Sequence, residues 1–92
     1  TWTDDMFMGI PFLIYAAESA SDIKEKRALQ DEAARQVLGY FKHVFDSKAG
    51  LFPHVKHHQV GAPKVPYWSR ANGWALFATS LTLQHLPETH PA

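Results

Sequence analysis

The chain has 92 residues, 46% of them apolar, and its nine Lys and Arg balance nine Asp and Glu to a formal net charge of zero. That is one domain's worth of chain at most, with globular rather than disordered composition. The balance excludes nucleic acid as a partner, since that affinity rests on a cation surplus; no apolar run nears the ~20 residues of a membrane span, so no membrane is expected; and zero cysteines removes disulfides, thiolate zinc sites and cysteine nucleophiles.

The charges are unevenly spread. Residues 22–48 hold 11 of the 18 charged side chains, and residues 6–17 and 71–87 hold none. Six Phe, three Tyr and three Trp are many rings for a small core. They suit a piece of a larger body.

The first predicted element runs from about Asp5 to Ser19. Thr3, Asp4 and Asp5 have N-cap composition, and acids favour the positive end of a helix. Pro11 removes a backbone donor, so the helix is expected to bend at Gly9–Pro11 or to become regular only there. Its residues are apolar nearly all round (Met6, Phe7, Met8, Ile10, Phe12, Leu13, Ile14, Tyr15), which predicts burial all round.

The second element, about Asp22 to Phe45, carries one apolar stripe: Leu29, Ala33, Val37, Leu38, Phe41, Val44 and Phe45. Lys26, Arg27, Asp31, Arg35 and Lys42 occupy the other face, with Asp31 and Arg35 spaced to pair. This is a surface helix that covers something with one face.

Residues 46–69 read as a loop with extended pieces. Asp46 to Gly50 is turn chemistry, with Gly50 suited to positive φ, and Leu51–Val55 suits a short strand. Gly61, Pro63 and Pro66 exclude a helix there. The third helix spans about Arg70 to Leu86, with Ser69 as the candidate N-cap, and it too reads as buried on most sides.

The order is inner helix, outer helix, long loop, inner helix. That is the pattern of a two-layer helical barrel in which outer helices cover inner ones. Three helices cannot close such a barrel. An isolated three-helix bundle is the alternative, but it leaves two apolar helices short of cover.

Three clusters carry chemistry. In Trp2-Thr3-Asp4-Asp5-Met6-Phe7-Met8, adjacent acids on a helix diverge by about 100° and cannot share a proton. They either cap the helix, or one of them is a general acid beside an aromatic wall that raises its proton affinity. In Gly50-Leu51-Phe52-Pro53-His54, the histidine follows a turn on an extended piece. His54, His57 and His58 lack the spacing and the acidic partner of a metal site, so no metal is expected. In Tyr67-Trp68-Ser69-Arg70-Ala71-Asn72-Gly73-Trp74, a cation at a helix start opposes the dipole. Arg70 therefore either grips a carboxylate bidentately or caps a neighbouring helix, and Arg70 and Trp74 share a helix face. Aromatic plates, an arginine, a histidine and a carboxylate together suit an acidic sugar.

These three segments, in this order, resemble the unsaturated glucuronyl and rhamnogalacturonyl hydrolases of glycoside hydrolase families 88 and 105. Those families carry an aromatic-x-Asp followed by Phe/Tyr-Met, a Gly-Leu-Phe/Tyr-x-His, and a Trp-x-Arg-Gly/Ala-Asn-x-Trp. Residues 70–72 read Arg-Ala-Asn where Arg-Gly-Asn is common. The resemblance covers nearly the whole chain and implies an all-α fold, a segment of an (α/α)6 barrel. It makes residues 1–92 a partial catalytic domain, about a quarter of a barrel by domain size, whose other active-site acid lies upstream of Thr1.

Residue by residue, the resemblance makes Asp4 the catalytic acid. Trp2, His54, Trp68, Arg70 and Trp74 become substrate contacts, with Asp5 left to cap or support. The implied substrate is an oligosaccharide ending in an unsaturated uronic acid, made by a polysaccharide lyase. The implied reaction hydrates its C4–C5 double bond and needs no metal and no cofactor. A non-catalytic carbohydrate-binding or scaffold segment, or another (α/α)6 carbohydrate enzyme, is the competing reading. An isolated segment of this size is expected to be inactive.

Overall fold

The computed structural model describes residues 1–63 and 65–92. Among them the chain forms three helices, α1 (Asp5–Ser19), α2 (Ile23–His43) and α3 (Ser69–His85). Extended pairing among the described residues is confined to isolated bridges.

Helix α1 begins where the Asp4 carbonyl accepts the N–H groups of Phe7 (3.0 Å) and Met8 (3.3 Å). It runs unbroken through Gly9–Pro11, with Pro11 inside it and buried. The proline lies in the second turn, where its missing donor removes a single bond, so the helix neither stops nor starts there. Burial is one-sided. Met6, Ile10, Ile14 and Ala17 are shut in, while Met8 and Phe12 are 64% and 71% exposed. Helix α3 behaves alike: Ala71, Ala75, Ala78 and Thr82 face inward, and Leu76 and Leu83 are each 70% exposed. Burial all round, expected of both helices, is not met within these residues. Two neighbouring helices cover only part of a cylinder, and the rest stays open.

Asp22 caps α2, its carboxylate accepting the Lys24 N–H at 3.1 Å. The helix covers α1 with one face, as its pattern predicts, but the stripe is rotated. Gln30, Ala33, Ala34 and Val37 are buried, whereas Leu38 and Phe41 are exposed. Arg35 does not pair with Asp31. Its guanidinium donates to both carboxylate oxygens of Glu32, with the Nε contact at 2.7 Å. Positions three and four apart are both neighbours on a helix, and Glu32 offers the bidentate fit. The Arg35 and Gln36 donors hold Glu32 at about 2, below its ordinary 4.5. Asp31 instead meets His90 Nε2 at 2.8 Å, tying residues 86–92 to α2. His85 approaches Glu18 at 3.3 Å and ties the end of α3 to that of α1.

The core gathers Met6, Ile10 and Ile14 of α1, Ala33 and Val37 of α2, Ala75 and Ala78 of α3, and Val44 and Phe52 from the connection. Helix α1 packs on both others, which touch each other little. The rings of Phe41 and Phe45 lie 5.0 Å from Phe52. Small residues on the inner face of α3 let its backbone come close to α1.

The loop after α2 turns on Asp46, whose carboxylate accepts the N–H groups of Lys48 (3.0 Å) and Ala49 (3.2 Å). Gly50 takes φ +70°, as its place in that turn predicts. Tyr67 donates its hydroxyl to the same carboxylate, which keeps Asp46 below the ordinary range and raises Tyr67. Leu51–Val55 is not a strand. Leu51, Pro53 and Val55 each form one isolated bridge, to Asp46, Tyr67 and Trp2. Pro53 has no donor for a ladder, and both peptide groups of Phe52 are taken by the Asn72 side chain.

Ser69 is not the cap of α3. It is the first helical residue, and Trp68 holds the cap position without a side-chain bond. No described helix is long and apolar enough to cross a membrane.

Candidate active site

The three motifs converge because their backbones hydrogen-bond to one another. The segment before α1 lies against residues 53–56. Thr3 N–H donates to the His54 carbonyl at 3.1 Å, and Lys56 N–H donates to the Thr1 carbonyl at 2.7 Å. The buried Thr3 hydroxyl donates to the Pro53 carbonyl. On the other side His54 N–H donates to the Pro66 carbonyl at 3.2 Å. His54 is thereby fixed between the start of α1 and the approach to α3.

Its imidazole stands between two indoles. The ring centroids of Trp2 and Trp68 are each 4.8 Å away, nearly perpendicular at 85° and 88°. The Arg70 guanidinium lies over Trp68, 3.9 Å from the ring centroid. Trp2, His54, Trp68 and Arg70 thus form one continuous run. Trp74 goes elsewhere: it stacks on Phe7 of α1 at 4.2 Å and 26°. Arg70 and Trp74 therefore lead to different partners, although four residues separate them on α3.

Asp4 occupies the cap position of α1 in a helical conformation, and its side chain makes no capping bond. Its Oδ1 is buried without a hydrogen-bond partner, and so is Nδ1 of His54. Buried polar atoms are ordinarily satisfied, so these two atoms, on segments joined by the backbone bond from Thr3 to His54, stand out among the described residues. Arg70 stands in the first turn of α3, against the dipole, and forms no ion pair among the described residues. Carboxylate gripping by another part of this chain and helix capping both leave it unexplained. His58 Nε2 meets the Thr1 hydroxyl at 2.8 Å. Among the described residues no three His, Asp or Glu side chains gather as a metal site requires.

Sequence reasoning passed over Thr3, Phe7 and Asn72. Thr3 sits inside the first motif and reads as a cap, so only its burial betrays its bond to Pro53. Phe7 is three residues from Asp4, a spacing that places it over the same end of the helix and beside Trp74. Asn72 lies between Arg70 and Trp74. Its signal is a polar amide in the first turn of a helix, and its contacts reach back 20 residues to Phe52.

The family model of Glycosyl Hydrolase Family 88 matches the chain over residues 1–92.

Proposed function

We propose that this chain, which belongs to Glycosyl Hydrolase Family 88, is part of the catalytic domain of an enzyme that removes an unsaturated uronic acid from the non-reducing end of lyase-generated oligosaccharides, such as those cut from rhamnogalacturonan. Its family is one of glycoside hydrolases with an all-α barrel, and the three helices are a segment of that architecture. The observation that carries the reading further is the pair of buried, unpartnered atoms, Asp4 Oδ1 and His54 Nδ1, with the His54 imidazole standing between Trp2 and Trp68. A carboxyl group without a partner in the chain, joined through the backbone to a histidine flanked by two indoles, suits proton transfer to a sugar stacked on those rings.

In this reading Asp4 is the general acid that delivers a proton to C4 of the enol ether. The C4–C5 π pair forms the new C–H bond, and the positive charge at C5 is shared with the ring oxygen. Water attacks C5 and gives its proton to the Asp4 carboxylate, which restores the acid. The resulting hemiketal opens and the remaining saccharide leaves. This differs from hydrolysis by two carboxylates flanking the glycosidic bond. His54 Nδ1 holds a sugar oxygen, and Trp2, Trp68 and Trp74 supply stacking surface. Arg70 presents its N–H edge to the uronic carboxylate, since its face already lies on Trp68.

Ultraviolet absorbance of the conjugated double bond, followed on an unsaturated uronyl disaccharide, tests the reading. The full-length protein is expected to bleach it and residues 1–92 alone are not, because the second acid is supplied from outside them. Failure of the full-length protein to bleach any unsaturated uronyl disaccharide overturns the proposal. In the same assay Arg70→Lys is expected to raise KM about tenfold with little change in kcat, since a lysine keeps the charge and loses both the fork and the flat face. An unchanged KM removes Arg70 from carboxylate binding.

A further inference from the structure

We infer that Asn72 is a positioning residue: its carboxamide holds the backbone behind His54 and so fixes the imidazole against Trp68 and Arg70. Asn72 Oδ1 accepts the Phe52 N–H at 2.8 Å. Its Nδ2 donates to the Phe52 carbonyl at 2.9 Å and to the Trp68 carbonyl at 3.1 Å. One amide thus pairs with Phe52 as a neighbouring strand would, and joins it to the residue that starts α3. The partners fix which end is which, because the two carbonyls require the NH₂ and the Phe52 N–H requires the oxygen.

The consequence for His54 follows along the chain. Phe52 is buried in the core, and Pro53, with its restricted φ, is the single residue between it and His54. His54 is then held on both sides by Pro66 and Thr3. Of these ties, that through Asn72 runs straight to the helix carrying Arg70, two residues before it. This amide joins the backbone behind the imidazole to the residue that bears the Arg70 stack, alongside the tie from His54 to Pro66. Asn72 touches no reacting atom in this arrangement. It acts through His54.

The inference rests on His54 being a substrate contact, so its test includes a readout that needs no turnover. In the full-length protein, Asn72→Ala is expected to lower kcat/KM about tenfold. In a His54→Ala background the same change is expected to cost less than about twofold, because residues acting through one another are not additive. The His54 ring protons, displaced by the currents of the two indoles and identified by their loss in His54→Ala, are expected to shift in the NMR spectrum of Asn72→Ala. Asn72→Asp gives a second, near-isosteric route to the same shift, since it keeps the acceptor for Phe52 N–H and turns an oxygen toward both carbonyls. A full-sized Asn72→Ala effect in the absence of the His54 imidazole overturns the inference, as does an unmoved His54 resonance in either folded variant. If His54→Ala itself leaves activity intact, the proposed role of His54 fails, and the resonance alone decides whether Asn72 positions it.

Discussion

Asp4→Asn in the full-length protein is expected to lower kcat on an unsaturated uronyl disaccharide about 10³-fold, roughly 4 kcal/mol of barrier, with the fold unchanged. The substitution is near-isosteric, and it replaces the ionisable carboxyl by an amide that can neither deliver nor take back the proton. Asp4 Oδ1 makes no hydrogen bond in the chain and the side chain does not cap α1, so only the attraction of its charge to the helix dipole, worth about 0.3–1 kcal/mol, is lost from the fold. That separation makes the experiment informative. An acid kept for capping gives the opposite pattern: a loss of about 1 kcal/mol of stability when replaced, and no loss of turnover. The measurement is the initial rate of absorbance loss, paired with the thermal midpoint of the same preparation. A rate within about threefold of the parent removes Asp4 from the acid role, since general acid catalysis is worth far more than that.

Ile10→Ala is expected to cost about 3 kcal/mol in chemical unfolding, within the range of about 2–5 for truncating a buried isoleucine. Ile10 is fully buried at the centre of α1, in the cluster shared with α2, α3 and Phe52. That cluster takes Ala33 and Val37 from α2 and Ala75 and Ala78 from α3, so three of the four residues facing α1 from the other helices are alanines. Alanines have no flexible ends that can swing into a void, so the cavity stays open and the loss is not relieved by relaxation. A loss below about 1 kcal/mol shows that the helices close up around the gap, and that the packing between α1 and α3 is looser than the alanine faces imply.

Much of this architecture is legible in the sequence, and the particular residues show where legibility stops. The extent of α1 follows from the run Met6–Tyr15 between Asp5 and Ser19, and Gly50 announces its own turn. The inward stripe of α3 is harder to read. Its buried members are Ala71, Ala75 and Ala78, while the larger Leu76, Phe77 and Leu83 point out. Hydropathy ranks the leucines above the alanines, but the helix sits by backbone approach, which favours the smaller residues. The stripe of α2 is rotated as well, with Gln30 and Ala34 inside and Leu38 outside. Pairings fail for a different reason. Glu32 and Asp31 are both spaced to reach Arg35, and only the fit of the fork selects Glu32. Within the site, the side chains that face a sugar in the proposed reaction fall in motifs that spacing brings to notice. The groups that hold them do not. Thr3 and Asn72 act on backbone atoms 50 and 20 residues away, and no local pattern encodes a partner at that distance.

The guanidinium resting on Trp68 has a thermodynamic consequence. A free arginine side chain carries about 2 kcal/mol of rotamer entropy, which ordering it on a ligand must overcome. With its guanidinium carbon 3.9 Å over the Trp68 ring centroid, Arg70 has surrendered part of that freedom when the protein folds. Its in-plane N–H groups, which make no hydrogen bond to the rest of the described chain, stay turned to whatever arrives. An incoming carboxylate therefore meets donors already held in one plane, and the ordering entropy is charged to folding, not to binding.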